Sequence, residues 1–489
     1  MNRANVLFLF SDQHKASVTG YENHPDVSTP HLDRLAQEGT QFRRAYCQDA
    51  ICGPSRCSLF SGLYPRALQC FDNPDQSQTM REVVPMQKAF QQGGYVTAAF
   101  GKRHLSEACD DGWSITASHS WAENLDDNYV KWINEQGYAA EFAQDWAAEF
   151  GGTPRGSVLG QQEIPFALMA TRQSALPDDM TMEAFTKQRT ISFLEDRAKD
   201  EQPFFCWASF YRPHQPYTPL KRYWDRHDRS RWGEGTNAGD AISMPKNLHQ
   251  EVSELPPMLQ SQFAGKNRVW RLDKAREDEQ LYRDYVSAYC ALVEEIDACI
   301  GDVLYQLEQL GLAENTIVVY SADHGDFVGA HGMVEKCAQG HNVFEDTLRV
   351  PLLFKWPGHI ESNVVRQDLA ELVDIYPTLL EFCDVAQPSS KHPLQGQSLV
   401  GTLAENESVK RDFTVSENWS QSTIITDRYK LGAWQEPADG KHPDFRDFGN
   451  MLFDLENDPD EIVNIYEESE DIRVQLEVQL SEWQQRYSE

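Results

Sequence analysis

Four apolar runs are the feature that most limits the folds open to this chain. Residues 5–10, 94–100, 203–210 and 315–320 are largely apolar and long enough for one strand each. Such runs are typical of strands that are buried on both faces of a parallel sheet. Segments with helical periodicity, such as 29–36 and 284–310, alternate with them. The pattern therefore predicts an α/β fold with a large, mixed, mostly parallel sheet flanked by helices.

The last part of the chain follows a different pattern. With 489 residues, the chain exceeds what one compact core usually holds. Short runs at 422–434 and 450–455 indicate antiparallel strands, and a helix is predicted from about residue 469 to 487. We therefore predict a large domain over residues 1–412 and a smaller C-terminal antiparallel-sheet subdomain over 413–489. Residues 105–180 and 215–280 lack clean periodicity and are predicted to be insertions and loops around a binding face.

The chain is strongly acidic, with 44 basic against 76 acidic side chains and a formal net charge of -32. This charge argues against nucleic acid and anionic membrane as partners. The apolar run near the N-terminus covers only residues 6–10, too few for a signal segment or a membrane span, so we expect a cytoplasmic protein. The 10 cysteines show no disulfide-scaffold spacing and are expected to be mostly reduced.

Polar side chains follow two of the predicted strands directly. Asp12 and Gln13 come after the first run, and Asp323 and His324 come after the last. The carboxyl ends of parallel strands meet at one edge of a sheet, where ligands collect. Two carboxylates, an amide oxygen and an imidazole at that edge would form a divalent-cation site.

A cysteine-containing motif predicts an anion site. The segment Cys52-Gly-Pro-Ser-Arg56 continues to Leu59, Ser61 and Gly62. The proline suits the first turn of a helix, which places Cys52 at or just before a helix N-terminus. Free N–H groups and the helix dipole favour an anion there, and Arg56 is expected to donate two hydrogen bonds to the same oxyanion.

The pattern Cys-x-Pro-Ser-Arg-x-x-Leu-x-Ser-Gly resembles the signature of the type I, formylglycine-dependent sulfatases of the alkaline-phosphatase-like superfamily. Other segments resemble further family landmarks in the family's order, from about residue 5 to about residue 464. They include Gly101-Lys102-Arg-His104, Arg212-Pro-His214, Asp323-His324-Gly-Asp326 and Lys336. The resemblance covers nearly the whole chain, and it implies an alkaline-phosphatase-like fold and a sulfatase catalytic domain that hydrolyses sulfuric esters.

The resemblance also implies a modified residue and a metal. In this family a formylglycine-generating enzyme oxidises the signature cysteine, here Cys52, to formylglycine. One divalent metal would be held by Asp12, Gln13, Asp323 and His324 together with the modified Cys52. Calcium is the expected ion and manganese the alternative, because Gln13 stands where Asp is commoner and removes one negative charge.

The reaction that the resemblance implies uses the hydrated aldehyde as nucleophile. The metal and Arg56 would lower the cost of ionising one hydroxyl, which attacks sulfur. Lys102, with His214 or Lys336, would neutralise the sulfate oxygens, and one of the latter two would protonate the leaving oxygen. His104 would deprotonate the second hydroxyl so that sulfate is expelled. The implied catalytic residues are Cys52, Arg56, Lys102, His104, His214 and Lys336.

The sequence leaves the substrate open among several alternatives. We expect a sulfated mono- or oligosaccharide, because the two aromatic-rich insertions suit stacking on sugar rings. The alternatives are a phosphonate monoester or phosphodiester hydrolase, a small alkyl (choline-type) sulfatase, and an inactive relative that binds sulfated glycans. The Asp12-Gln13 pair resembles a subgroup that includes phosphonate monoester hydrolases and choline sulfatases. His341 is a weak candidate for substrate contact, and the sequence indicates no oligomeric state.

Overall fold

The fold is seen in a computed structural model of the whole chain. It describes residues 3–73, 77–119, 128–146, 171–233, 241–261, 263, 279–336, 343–418, 420–435 and 446–487. In chain order, the strands β1 to β14 are Asn5–Asp12, Thr40–Tyr46, Val96–Lys102, Ile115–His119, Phe204–Pro213, Asp228–Gly233, Ala241–Ser243, Thr316–Ala322, Arg349–Lys355, Val364–Glu371, Phe413–Asn418, Gln421–Thr426, Tyr429–Trp434 and Met451–Asp454.

Within the described residues, eight strands form the main sheet in the order β10-β2-β9-β8-β1-β5-β3-β4. All neighbouring pairs are parallel except the two that involve β9, which is antiparallel to β2 and β8. The central strand β1 is buried over its full length because helices cover both faces of the sheet. The predicted mixed, mostly parallel sheet is therefore confirmed.

The helices form two layers around this sheet. In chain order, α1 to α15 are Pro30–Gln37, Cys52–Ser61, Pro65–Leu68, Gln78–Glu82, Met86–Gln92, Asn128–Glu135, Ala139–Trp146, Met182–Arg197, Lys221–Trp224, Pro257–Ser261, Glu279–Gln309, Glu345–Leu348, Ile375–Phe382, Val400–Ala404 and Glu470–Tyr487. Helices α1, α8 and α11 pack on one face through a cluster that includes Leu32, Phe193 and Ile300. Helices α2, α5 and α13 pack on the other face through Phe60, Phe90 and related side chains.

The predicted C-terminal sheet is also present. Strands β11 to β14 pair in antiparallel order, and α15 packs on them through Leu476, Leu480 and Trp483. Lys430 in β13 is fully buried and pairs with Glu345 of α12 at 2.6 Å. This ion pair connects the small sheet to the helix that directly precedes β9 of the main sheet.

Both predicted loop regions contain regular structure. The described part of residues 215–280 includes the short elements α9, β6, β7 and α10. We expected residues 105–180 to form insertions and loops, but Ile115–His119 is the edge strand β4, and α6 and α7 follow it. A strand of five residues has too few positions for its periodicity to be recognised. Trp146 of α7 is buried against Tyr211 and faces the interior. His341 lies outside the described residues, and no helix among the described ones is both long enough and apolar enough to span a bilayer.

Candidate active site

The sheet brings the two predicted strand-end pairs together. Strands β1 and β8 are parallel neighbours, with Ser11 beside Ala322, so Asp12 and Asp323 leave the sheet side by side. The backbone N–H of Gln13 donates to Asp323 Oδ1 at 2.9 Å. Gln13 itself adopts a left-handed backbone with φ 64°, a conformation that residues other than glycine hold at a cost.

Cys52 lies next to the same strand ends. It is the first residue of α2, as the motif predicts, and is buried. Asp49 Oδ1 accepts the N–H of Ile51 at 2.7 Å and so fixes the approach to the helix. The Cys52 Sγ lies 3.2 Å from His324 Nε2 and 3.8 Å from Asp12 Oδ1.

Four predicted metal ligands form one cluster. The ligand atoms of Asp12, Cys52, Asp323 and His324 all lie within 4.8 Å of one another, and all four residues are buried. The other ring nitrogen of His324 faces the carbonyl oxygen of Gly325 at 2.9 Å, which orients the imidazole toward the cluster. Two carboxylates, an imidazole and the Cys52 side chain fit the donor set of a divalent cation.

Gln13, the fifth predicted ligand, is held by its neighbours. Its Nε2 donates to Asp326 Oδ2 at 2.7 Å, and this contact turns the amide oxygen toward Lys336. The Lys336 Nζ donates to Gln13 Oε1 at 2.8 Å and to Glu335 Oε1 at 3.0 Å. Gln13 therefore lies between the metal cluster and Lys336, and its role as a ligand stays a prediction.

Arg56 makes different contacts from those expected. The sequence led us to expect hydrogen bonds to a substrate oxyanion. Instead its fully buried guanidinium donates from Nη2 to Asp12 Oδ2 and from Nε to Asp323 Oδ2, both at 2.8 Å. Nη1 donates to the carbonyl oxygen of Lys102 at 2.9 Å. The cation thus orients the two carboxylates, because charge-assisted hydrogen bonds fix their geometry.

The remaining predicted catalytic side chains surround the Cys52 thiol. Lys102, at the end of β3, has its Nζ 3.8 Å from Cys52 Sγ and 2.5 Å from Asp12 Oδ2. His104 and His214 both lie close enough to the thiol to interact with it. The Nδ1 of His214 faces the carbonyl oxygen of Gln215 at 2.8 Å, and its Nε2 lies 3.9 Å from Asp12 Oδ1.

The charges at the site favour an anion at Cys52. Burial alone would raise the pKa of this thiol, but the charges of Lys102, Lys336 and His324 hold it well below its ordinary value. The pKa of Asp12 is lowered overall. Burial and the Cys52 sulfur act to raise it, but the charges of Lys102, His214 and Arg56 outweigh them. The site therefore stabilises negative charge where the nucleophile is expected.

Three side chains that complete the site were not assigned roles from the sequence. Asp326 orients Gln13, and it accepts hydrogen bonds from the hydroxyl groups of Tyr217 at 3.3 Å and of Tyr285 at 2.5 Å. Asp326 is part of the Asp-His-Gly-Asp segment and could have been singled out there. The two tyrosines carry no sequence signal, because only the fold brings the segment after β5 and helix α11 next to Gln13.

Comparison with known proteins identifies the family. A family model described as "Sulfatase" matches residues 4–385, and one described as "N-sulphoglucosamine sulphohydrolase, C-terminal" matches residues 329–486. The chain is 26% identical over 512 residues to an N-acetylglucosamine-6-O-sulfatase of Bacteroides thetaiotaomicron, covering 100% of this chain and 87% of the relative.

Two solved structures share the fold. The phosphonate monoester hydrolase of Agrobacterium radiobacter aligns with a TM-score of 0.78 at 21% identity, over 99% of this chain and 96% of that chain. A second structure, in complex with its substrate D-glucosamine-2-N,6-O-disulfate, aligns with a TM-score of 0.70 at 22% identity, over 99% of this chain and 98% of that chain. Because the sulfatase model covers more than half of the sequence, this chain belongs to the sulfatase family and is a sulfuric ester hydrolase.

Proposed function

We propose that this sulfatase hydrolyses a sulfate ester on a mono- or oligosaccharide, with Cys52 converted to formylglycine and one divalent metal bound. The observation that carries the proposal is the position of Cys52. Its sulfur lies at the start of α2, 3.2 Å from His324 Nε2 and 3.8 Å from Lys102 Nζ. A nucleophile at this position lies beside both the predicted metal ligand His324 and the cation Lys102.

The metal would be held by Asp12, Asp323, His324 and the modified Cys52, with the amide oxygen of Gln13 as a further ligand. When bound, a divalent ion polarises a sulfate oxygen and favours ionisation of the attacking hydroxyl. Formylglycine supplies a hydrated aldehyde, which offers a second hydroxyl for release of the product. Calcium stays the expected ion, and manganese is the alternative because Gln13 removes one negative charge and His324 supplies a nitrogen ligand.

The chain's own side chains bind the sulfate group and move protons. Lys102 and Lys336 would neutralise sulfate oxygens, since both cations act on the Cys52 side chain. The leaving oxygen would receive its proton from His214 or Lys336. His104, which interacts with the Cys52 side chain, would take the proton that release of sulfate requires. Arg56 would keep both carboxylates in place during these steps.

The comparisons support a saccharide as the substrate. The relative from Bacteroides thetaiotaomicron is named for N-acetylglucosamine 6-O-sulfate, and one solved neighbour holds D-glucosamine-2-N,6-O-disulfate as its substrate. We therefore choose N-acetylglucosamine 6-sulfate as the first compound to test. The phosphonate monoester hydrolase shares the fold alone, and a phosphonate monoester serves as the competing substrate.

The modification is tested first, by mass spectrometry of the peptide that contains Cys52. In protein produced together with a formylglycine-generating enzyme, the peptide is expected to be about 18 Da lighter than with cysteine. The same preparation should have a higher kcat/KM for N-acetylglucosamine 6-sulfate than for a phosphonate monoester. Cys52→Ser should fold normally and lose about 10³-fold or more in kcat.

Two results would contradict the proposal. An unmodified Cys52 in fully active protein would remove formylglycine from the reaction. A preference for the phosphonate monoester would replace the saccharide sulfate as the substrate while leaving the site assignment intact.

A further inference from the structure

A second cavity lies at the other end of the helical segment that carries Cys52. It has a volume of about 530 Å³ and is bounded by α3, residues 391–396 and the end of α15. Pockets that hold small ligands typically enclose about 300–1,000 Å³. In the part of the chain that the structure describes, its lining shares no residue with the Cys52 site.

The cavity collects basic side chains in a strongly acidic protein. Arg66, Lys391, His392 and Arg486 line it, although the chain has 76 acidic and only 44 basic residues. These residues come from three separate segments, so neighbouring positions in the sequence do not explain their grouping. The cavity is therefore a local exception to the charge of the whole molecule.

Some of these cations are already paired and others are available. Arg66 donates to Glu417 Oε1 at 2.9 Å, whereas Lys391 and His392 share Glu82 at 3.3 and 3.5 Å. Arg486 makes no ion pair with any residue that the structure describes.

The side chains of Lys391 and Arg486 are both exposed to solvent. The Lys391 side chain is 75% exposed, and its contact with Glu82 is the weak, exposed kind that an incoming anion can displace. The guanidinium of Arg486 lies over the ring of Tyr487 at 5.3 Å. Two cations are thus positioned to bind an anionic group.

The wall of the cavity suits a sugar ring. Tyr487 and Leu394 line it, and Tyr487 packs on the buried ring of Tyr64 with centroids 5.0 Å apart. An aromatic ring held from behind offers a flat apolar face, on which a sugar packs while its polar groups face outward. Gln69 and Thr79 at the rim supply neutral hydrogen-bonding groups.

The cavity is linked to the nucleophile by a short chain of contacts. Arg66 pairs with Glu417, and the next residue, Asn418, donates to Asp49 Oδ1 at 3.0 Å. Asp49 in turn positions Ile51, which directly precedes Cys52.

We infer that this cavity binds an anionic group, sulfate or carboxylate, of a sulfated oligosaccharide at a position separate from the Cys52 site. The inference rests on the proposed saccharide substrate for the identity of the ligand. The cavity itself, with its basic lining, does not depend on that proposal. Lys391 and Arg486 are the side chains that contact the anion.

The test measures binding of a heparin-type hexasaccharide, built from sulfated glucosamine and uronic acid, by calorimetry in full-length protein with Cys52→Ala to prevent turnover. Lys391→Ala combined with Arg486→Ala should raise the dissociation constant about tenfold or more, because two charge-assisted contacts are lost. The matched control removes the same charges elsewhere: Lys199→Ala with Arg231→Ala, both in exposed ion pairs, should change it by about twofold at most.

A charge-retaining variant, Lys391→Arg with Arg486→Lys, should keep most of the affinity. Equal affinity in the two alanine double variants would overturn the inference, whether both lose affinity or neither does. Turnover of N-acetylglucosamine 6-sulfate by unaltered protein tests the proposed function separately. If binding depends on Lys391 and Arg486 but this turnover is absent, the inferred binding site is supported and the proposed substrate is rejected.

Discussion

Arg56 shows how one buried side chain organises the active site. Its guanidinium bridges Asp12 and Asp323 and also packs 5.1 Å from the centroid of the Phe10 ring. The group is fully buried, and the two carboxylates balance its charge. Arginine suits this position because its planar fork donates in two directions at once, which a lysine ammonium cannot do in the same geometry.

Replacing Arg56 should therefore damage the site from within. Arg56→Met leaves two buried carboxylates with one cation fewer and is expected to lower the free energy of unfolding by about 3–5 kcal/mol. Metal content and kcat should fall together, because both carboxylates lose their orientation. Chemical denaturation, metal analysis and steady-state kinetics measure these effects.

A surface arginine provides the control for this substitution. Arg222 pairs with Asp178 at 2.8 Å, the two side chains are 55% and 53% exposed, and Arg222→Met should lower the free energy of unfolding by at most about 1 kcal/mol. If Arg56→Met kept its stability and metal and only raised KM, Arg56 would contact the sulfate, as the sequence motif alone suggests.

At the level of elements, the position of Lys102 at the end of β3 depends on the glycine that precedes it. Gly101 has φ +88°, and a Cβ at this position would meet the carbonyl oxygen of Ser209 in β5 at 2.0 Å. The close approach of the two strands thus requires a residue without a side chain. Gly94, just before β3, has the same φ of +88° but open space around its Cβ position.

The two glycines form a matched pair for a test of this contact. Gly94→Ala should lower the free energy of unfolding by about 1–2 kcal/mol, because alanine is strained in the left-handed backbone conformation. Gly101→Ala should lower it by about 1–3 kcal/mol more, because the added methyl group overpacks the contact with β5. It should also lower kcat, because the displaced strand moves Lys102. Equal losses of stability and activity in the two variants would show that the contact with Ser209 is not decisive.

At the level of the whole molecule, buried carboxyls of α11 tie distant segments to the core. Asp297 Oδ1 accepts the N–H of Leu32 at 2.8 Å, and Glu294 Oε1 accepts the N–H of Ser28 at 2.9 Å. Burial raises the pKa of both carboxyls to about 7, from ordinary values of 3.8 and 4.5. Between about pH 4 and 7 the folded protein therefore binds more protons than the unfolded chain at these two groups.

This difference predicts the sign of a pH effect. The stabilisation that the two groups provide is complete at pH values below their ordinary pKa values. It is lost as the pH rises toward 7, by at most about 1.4 kcal/mol per pH unit for each group. Buried histidines such as His14, whose pKa is lowered to about 4, act in the opposite sense, so the comparison must be between variants. Glu294→Gln with Asp297→Asn should gain stability relative to wild type as pH is raised from 5 to 8.

Denaturant unfolding at several pH values measures this relative gain. Asp302→Asn, which changes a carboxylate that is 60% exposed on the same helix, is the control and should follow the wild-type curve. A double variant that also followed the wild-type curve would show that the two buried carboxyls do not titrate differently on folding.

Much of this architecture was predictable because it depends on local sequence. The four apolar runs predicted β1, β3, β5 and β8, since a strand buried on both faces must be apolar at every position. The Pro within the first turn and the motif around it predicted that α2 begins at Cys52. Strand β4 was missed because five mixed residues carry too little periodicity to distinguish an edge strand from a loop.

By itself, the sequence determined the kind of fold, the family and the identity of the side chains that meet at the sheet edge. Those properties follow from residue types, their order and their spacing. Only the tertiary structure decided which groups pair: Arg56 with two carboxylates, Asp326 with Gln13 and two tyrosines, and Arg66, Lys391 and Arg486 around a second cavity. The physical reason is that hydrogen bonds and charges act over a few ångströms in space, and residues far apart in the chain reach that distance only through the packing of the fold.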